Sequence, residues 1–397
     1  MSAAFDIVDH PILLKKLQLY GFDSGFLEWI ASYLDNRSQC VSIDGCLSKL
    51  RLVQQGVPQG SVLGPLLYII FTNELPEVVH SHCSTEDRGE EVWPNFTMVC
   101  STCGCIGCYA DDTTYTCSGS DTNSITENIT DKYQLMSEFL ASNKLKLNDD
   151  KTHLMVMSTS QARLSRLRKG DSSMVRIRTS IKDIEPSQSE KLLGCWLHED
   201  MKWGEHIQDN RESLLRSLNS RVGALKMVCK VAGFKTRKMI ANGIFMSKIM
   251  YCIALWGGCA NQLLNSLQKV QNKAARAVTK VDWNTPTKLV LRQCGWLSVK
   301  QLVVYQSSIL VYKVMRTASP RYLYSMFSTE YTCNTRQASS GQVKLTRRSN
   351  LDISEESFRC RGAKYYNNLP IDLREAVSVS SFKTGLRRWI LDNVPAE

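Results

Sequence analysis

The sequence predicts a mixed α+β fold over residues 1–200, followed by an all-helical region from residue 201 onward. Three observations carry that expectation. Before residue 200, short β-type runs alternate with helical ones, punctuated by Gly, Asp and Pro. From Trp203 to Arg316 the apolar residues recur mostly at helical spacing. The charge divides at the same place: residues 1–200 hold 18 Lys+Arg against 26 Asp+Glu, a net −8, whereas residues 201–397 hold 31 against 12, a net +19. The overall +11 of this 397-residue chain therefore joins an acidic part to a basic one. A long basic stretch of helical period, interleaved with Trp and Tyr, suits a nucleic-acid partner; a solvated face is its plain alternative.

Composition excludes several classes. With 43% hydrophobic and 22% charged residues the chain is globular rather than disordered or fibrous. The longest apolar stretch near the front, Val62 to Phe71, covers about half of a membrane span. No secretory leader pattern opens the sequence, so the fifteen cysteines are expected as reduced thiols of an intracellular protein, nuclear or cytoplasmic, with no membrane partner.

In chain order, Asp9-His10-Pro11 ahead of Ile12 to Leu17 predicts a helix with Pro in its first turn, ended by Gly21. A second helix is expected over Gly25 to Leu34. Gln39 to Ile43 and Leu47 to Val53 alternate as a hairpin around Asp44-Gly45. Gln55 to Ser61 is a loop, leading into a nearly all-apolar helix, Val62 to Leu75, expected to be buried. Residues 76–99 are polar without clear period, and 76–108 are expected as a Cys-rich insertion. Ile106 to Thr116 predicts two strands flanking Asp111-Asp112. An amphipathic helix over Ile125 to Ser142 follows, then strands at His153 to Ser158 and Glu190 to Leu197. Helical breaks are expected near Gly233, Gly257-Gly258 and Pro286. Residues 328–352 are expected as an exposed linker and 353–397 as a small helical tail.

Tyr109-Ala110-Asp111-Asp112 is the most informative tetrapeptide. Two adjacent carboxylates at a hairpin tip repel one another unless a cation is held there or water screens them. A hard divalent cation with oxygen ligands, Mg²⁺ or Mn²⁺, resolves that repulsion. Its company narrows the choice. Ser2-Ala3-Ala4-Phe5-Asp6 opens the chain, and Pro58-Gln59-Gly60-Ser61 heads the apolar helix. Leu145-Lys146-Leu147-Asn148-Asp149-Asp150-Lys151-Thr152 and Leu192-Leu193-Gly194-Cys195 come after the carboxylates. In this order the motifs resemble the palm of reverse transcriptases from non-LTR, LINE-type retrotransposons, jockey-like in flavour. Leu267 to Val278 also resembles the thumb segment of these elements.

The resemblance implies a polymerase right hand: a palm of antiparallel sheet with packed helices over 1–200, a helical thumb over 201–327, and the small helical C-terminal region. It implies an RNA-directed DNA polymerase using an RNA template, a DNA primer, deoxynucleoside triphosphates and Mg²⁺ (or Mn²⁺), through two-metal nucleotidyl transfer. Asp111 would be the principal metal ligand and Asp112 a supporting one. Phe5 matches the steric gate against the ribose 2′-hydroxyl. Gln59 and Gly60 match the loop contacting the incoming nucleotide, Lys151 the lysine near the leaving pyrophosphate, and Leu193-Gly194 the primer grip. Each of Phe5, Gly60 and Lys151 also has a plain reading, as core, loop and surface cation.

One departure stands out. The family pattern is Asp-x-Ser-Ala-Ala-Phe-Asp, and its first Asp, the third metal-binding carboxylate, would fall one residue before Met1. Asp6 matches the second Asp and is expected to be structural, with Asp9, at the start of the following helix. Fingers segments and an N-terminal endonuclease are also not represented in these residues. The expectation is a truncated domain, with little or no polymerase activity from the chain as written. Rival readings are a non-catalytic nucleic-acid-binding remnant of a decayed element, and a maturase- or telomerase-like polymerase.

Cys100-x₂-Cys103-x-Cys105-x₂-Cys108 follows His80, His82 and Cys83. Cys83, Cys100, Cys103 and one His have zinc-site spacing, with clustered reduced thiols as the alternative. Cys105 and Cys108 are expected in the strand leading to Tyr109. In the basic region Arg211, Arg216, Arg221, Lys226, Lys230, Lys235, Arg237 and Lys238 are expected to track phosphates, while Trp256, Trp283 and Trp296 are expected in the core.

Overall fold

A computed structural model of the chain describes residues 4–81, 97–100, 104–119, 121–159, 174–179, 182–327, 342–343 and 355–395. It forms two units: Met1–Val156 with Ser165–Ser187, and Met157–Leu164 with Gln188–Glu397.

In the first unit a 3₁₀ turn, Ala4–Ile7, runs into helix α1, His10–Leu19. Asp9 caps α1 by accepting the amide of Ile12 at 3.0 Å, and Pro11 sits where no amide is needed. Asp6 does not share that task; it stays within the 3₁₀ turn. Helix α2 spans Ser24–Leu34, capped by Asp23. The expected hairpin is present: β1 (Ser38–Gln39) pairs with β4 (Arg51–Leu52), and β2 (Ser42–Ile43) with β3 (Cys46–Leu47). Asp44 and Gly45 close it with left-handed φ of 48° and 84°, as a two-residue hairpin loop demands.

Helix α3 covers Leu63–Thr72, and Leu67, Tyr68 and Phe71 are buried on one side of it. The expectation of a wholly buried helix is corrected here: Val62 just before it is 93% exposed and Leu66 is also exposed. Residues 76–99 are not wholly irregular either. Leu75, Pro76 and Val79 are buried on α4 (Leu75–Val79), and Thr97–Cys100 forms β5. Strand β5 pairs antiparallel with β6 (Gly104–Tyr109), which pairs with β7 (Asp112–Thr116). Helix α5, Thr122–Ser142, begins at the Asp121 cap and buries Phe139 and Leu140. These elements enclose one core of Leu13, Leu17, Ile30, Leu67, Phe71, Val79, Ile106 and Leu140. The strand expected over His153–Ser158 is a single bridge, Leu154 to Pro186.

The second unit opens on a hairpin where one strand over Glu190 to Leu197 was expected. Strands β8 (Ser189–Leu192) and β9 (Cys195–His198) pair across Leu193-Gly194. This hairpin groups with the helices that follow rather than with the β-sheet before it. A π-helical turn, Glu205–Asp209, leads to α6 (Leu214–Val231) and α7 (Phe234–Ala241), and a second, Asn242–Met246, leads to α8 (Ser247–Met250) and α9 (Ile253–Trp256). Helices α10 (Asn261–Thr279), α11 (Thr287–Cys294), α12 (Val299–Thr317) and α13 (Arg321–Met326) follow. Gly233, Gly257 and Pro286 stand at helix ends, as expected.

Leu264, Leu267, Gln271, Ala274 and Val278 line one face of α10, the spacing of a helix with one buried stripe. Helix α12 starts with a Ser298–Gln301 capping box and is buried on several sides. The tail, α14 (Phe358–Asn367), α15 (Ile371–Arg374) and α16 (Val379–Asn393), packs against α12. The Tyr312 and Phe382 rings stack at 4.0 Å, so the tail completes the helical core. Trp256 and Trp296 are in that core, but Trp283 is 86% exposed, which corrects the expectation for it. Of the expected linker, 328–352, only 342–343 lie among the described residues. Among the described residues no helix is long and apolar enough to cross a membrane.

Candidate active site

The carboxylate turn is shorter than the motif. Tyr109 and Asp112 face each other as the last pair of β6 and β7, so Ala110 and Asp111 alone make the loop. Such a loop needs a left-handed residue, and Ala110 supplies it at φ 52° without being glycine. The alternation of the sheet then sorts the side chains. Ile106, Cys108 and Tyr115 pack into the core, whereas Tyr109 (67% exposed) and Asp112 are exposed. Asp111 is half-buried and lies close enough to the buried Tyr68 for its charge to matter: the Tyr68 phenol is pushed up first by burial and then by Asp111. The two adjacent carboxylates therefore have different surroundings, one against the core and one in solvent.

Phe5 stacks on Tyr68 with ring centroids 4.5 Å apart, so an aromatic pair and Asp111 share one neighbourhood. The 3₁₀ turn carrying Phe5 is held by the loop before α3. The amides of Gly56 and Val57 donate to Val8 O and Phe5 O, both at 2.7 Å. Gly56 adopts φ 88°, and a Cβ there would sit 2.5 Å from Asp6 O, so only glycine fits. Its carbonyl accepts from Arg37 Nη2 at 2.7 Å and lies 2.9 Å from His10 Nε2. Gln59 donates to Asp6 Oδ1 at 3.0 Å, joining the expected nucleotide loop to the expected gate segment. Gly60 is exposed at φ 80° with open space around it. Just ahead of α3, Ser61 Oγ accepts from the Gly64 amide at 2.9 Å.

Phe5, Gln59, Gly60 and Asp111 are thus gathered in the first unit. Lys151 is in the same unit, exposed at the end of the 3₁₀ turn Asp149–Lys151, and makes no ion pair or hydrogen bond to them among the described residues. Leu193 and Gly194 lie in the second unit. Both have left-handed φ, 45° and 82°, and Tyr251 Oη donates to Leu193 O at 2.5 Å.

For a metal, Asp111 and Asp112 offer hard oxygen donors, and no Lys or Arg among the described residues forms an ion pair with either. That set fits Mg²⁺, which is commonly held by one or two carboxylates plus substrate phosphates rather than by a closed protein cage. No cluster of three or more His, Cys, Asp or Glu able to hold a metal occurs among the described residues. The zinc expectation falls elsewhere: Cys83, Cys103 and His82 lie outside the described residues, and of Cys100 only its place in β5 is described. Cys105 and Cys108 are in β6, as expected, and burial pushes the Cys108 thiol up to about 11.

Three residues of this neighbourhood escaped the sequence reading. Tyr68 was read only as part of an apolar helix. Gly56 stands in the same loop as Gly60, and nothing local in the sequence sets it apart. Arg37 has no local signal at all. In the second unit, Arg237 and Arg221 are removed from the phosphate-tracking set. Arg237 is buried and donates to Val278 O and Ala232 O, and Arg221 donates to Ile244 O. Arg211, Arg216, Lys226, Lys230 and Lys235 are exposed.

Residues 1–197 match the family described as reverse transcriptase (RNA-dependent DNA polymerase). The RNA-directed DNA polymerase from mobile element jockey of Drosophila melanogaster is 25% identical over 299 residues, 74% of this chain and 29% of that protein. Its counterpart from Drosophila funebris is 28% identical over 298 residues, covering 72% and 28%. The probable RNA-directed DNA polymerase from transposon BS of Drosophila melanogaster is 27% identical over 290 residues, covering 70% and 28%. The chain thus spans under a third of the length of these relatives. An alignment of 299 residues is longer than the 197 of the family match, so the likeness runs on into the helical unit. Through residues 1–197 the chain belongs to the reverse transcriptase family, in its non-LTR, jockey-like branch.

Proposed function

We propose that the chain carries an RNA-directed DNA polymerase site that adds deoxynucleoside triphosphates to a DNA primer on an RNA template, centred on Asp111. The observation that carries the reading is the half-buried Asp111 on a two-residue hairpin loop beside the Phe5–Tyr68 stack. Asp111, with Asp112 as a second donor, would hold Mg²⁺ or Mn²⁺, which supplies charge neutralisation for the triphosphate and a more acidic primer hydroxyl. The chain's own residues prepare the place. Tyr68 backs the Phe5 ring, so the gate is rigid against a ribose 2′-hydroxyl. Gly56 fixes the loop onto the gate segment, and the Gln59–Asp6 bond leaves Gln59 at the loop surface for a nucleotide. Lys151, exposed at the end of its 3₁₀ turn, serves the leaving pyrophosphate. In the second unit, Leu193-Gly194 serves the primer end, and the exposed cations Arg211, Arg216, Lys226, Lys230 and Lys235 serve the phosphates of the hybrid.

Mn²⁺ titration followed by electron paramagnetic resonance, with dTTP and a poly(rA)/oligo(dT) hybrid present, tests the reading. The expected result is saturable binding weakened at least about tenfold by Asp111→Asn, the scale of one lost charge-assisted contact, and less by Asp112→Asn. Binding indifferent to both substitutions would overturn it. The exposed cations also favour a second reading, a nucleic-acid-binding chain without chemistry. That reading predicts salt-dependent hybrid binding with no metal site at Asp111.

A further inference from the structure

Trp283 is the most exposed tryptophan among the described residues, at 86%, and takes no part in the polymerase site proposed above. The chain holds it out on a braced support. Helix α10 ends at Lys280, whose φ of 58° turns the chain and whose amide donates to Arg276 O at 2.8 Å. Val281 then packs against the helical core. The Thr285 amide donates to Asp282 O at 3.1 Å, closing a turn with Trp283 and Asn284 at its tip. Pro286 follows as the N-cap of α11, in which Val290 and Leu291 are buried. From α10, Arg276 Nη2 donates to Thr285 O at 3.0 Å and to Thr287 Oγ1 at 3.4 Å. One guanidinium thus ties the far side of the turn and the start of α11 back to α10. A loop anchored on both sides that presents a whole indole to water forgoes the gain of burying it, which points to a partner for the ring.

Charge names the class of that partner. Residues 213–329 contain 18 Lys+Arg and a single acid, Asp282. Lys273 and Lys280 precede Trp283, and Lys288 and Arg292 follow it. All four are exposed, and none forms an ion pair among the described residues. Such a surface is complementary to a polyanion. The indole narrows the choice further. In a duplex the face of each base is covered by its neighbours, so a ring at a loop tip finds a free base face where the bases are unpaired.

We propose that the Trp283 turn is a stacking site for single-stranded nucleic acid, in which the indole covers one unpaired base and Lys280 and Lys288 neutralise neighbouring phosphates. Such a site is additional to the hybrid phosphate contacts already assigned, and it needs no chemistry at Asp111. Its two parts have separate signatures. Stacking tolerates any base and gives an affinity that a duplex does not share. Phosphate contacts release counterions and therefore weaken as salt rises.

The test is a fluorescence-anisotropy titration of labelled oligo(rU), and of a blunt RNA–DNA hybrid of the same length, with the full chain. Trp283→Ala should weaken oligo(rU) binding at least about fivefold and hybrid binding by less than about twofold. Trp283→Phe, which keeps a stacking ring, should restore most of the loss. The double variant Lys280→Gln/Lys288→Gln should reduce the slope of log affinity against log salt by about 1.4, at about 0.7 for each phosphate contact, whereas Trp283→Ala should leave that slope in place. The three side chains are exposed, so the variants should keep the circular dichroism of the parent. Oligo(rU) affinity unchanged by Trp283→Ala would overturn the proposal. So would self-association of the chain in sedimentation that Trp283→Ala abolishes without loss of oligo(rU) binding, since the ring would then serve a protein contact.

Discussion

Tyr109–Asp112 and Leu192–Cys195 are both antiparallel hairpin ends closed by two residues, and they settle their backbone and charge in opposite ways. The first places an alanine at left-handed φ and a half-buried carboxylate next to an exposed one, with no basic side chain in ion-pair contact among the described residues. The second has glycine where the second left-handed residue is needed, and a tyrosine hydroxyl on the carbonyl of the first. The back turn is satisfied by its own unit. The front turn carries like-charge repulsion that the described residues leave uncompensated, the condition in which an added cation gains most. Sensitivity to metal therefore belongs to the front turn, and sensitivity to backbone shape to the back one.

The largest effect that would break this contrast falls on the support of the back turn. Trp256 is fully buried, and its Nε1 donates to Tyr251 O at 2.8 Å, holding the residue that holds Leu193. Trp256→Ala should cost the helical unit about 3–5 kcal/mol, read as urea unfolding by tryptophan fluorescence and circular dichroism. Mn²⁺ binding at Asp111 should survive it.

Next comes the pH response of the same hairpin. The His206 imidazole is lowered to about 4 by burial, with Lys248 and Lys191 adding repulsion, and its Nδ1 accepts from the Trp196 amide at 3.4 Å. Between about pH 6.5 and 4 the unfolded chain binds a proton on this histidine and the folded chain does not. Its contribution is thus fully present above pH 6.5 and lost as pH falls toward 4. Urea midpoints across that range should fall, and His206→Gln should flatten the fall. An unchanged slope in the variant would remove His206 from the account.

The smallest effects have opposite signs at the two turns. Gly194→Ala forces a side chain into φ 82° and should cost about 1–2 kcal/mol. Ala110→Gly relieves φ 52° and should gain about 0.5 kcal/mol, the relief being offset in part by the freer unfolded chain. Equal signs in denaturant titrations would mean that the turns are not built differently.

What could be read from the sequence was local. Asp44-Gly45, the Asp9 cap and the helix ends at Gly233 and Pro286 follow from a few adjacent residues, and the carboxylate motif placed a hairpin end within one residue of its true position. What could not be read depends on residues far apart in the chain. Tyr68 reaches Phe5 across 63 positions of sequence, and nothing in an apolar helix marks one residue as the backing of another. Arg237 reads as a phosphate cation by spacing and is a buried brace by contact. Strands β8 and β9 match a motif that continues the sheet-bearing region, yet Tyr251 and His206 bind them among helices.

The central claim is that the Asp111 turn, beside Phe5 and Tyr68, is a divalent-metal site. Fe²⁺ substituted for Mg²⁺, with ascorbate and peroxide, cuts a polypeptide chain within a few ångströms of the bound ion, and the fragments are sized and sequenced. The account predicts cuts at Tyr109–Asp112 and near Phe5, suppressed by excess Mg²⁺ and absent in Asp111→Asn. Cleavage that spares this turn in the unaltered chain, or persists there in Asp111→Asn, would contradict it.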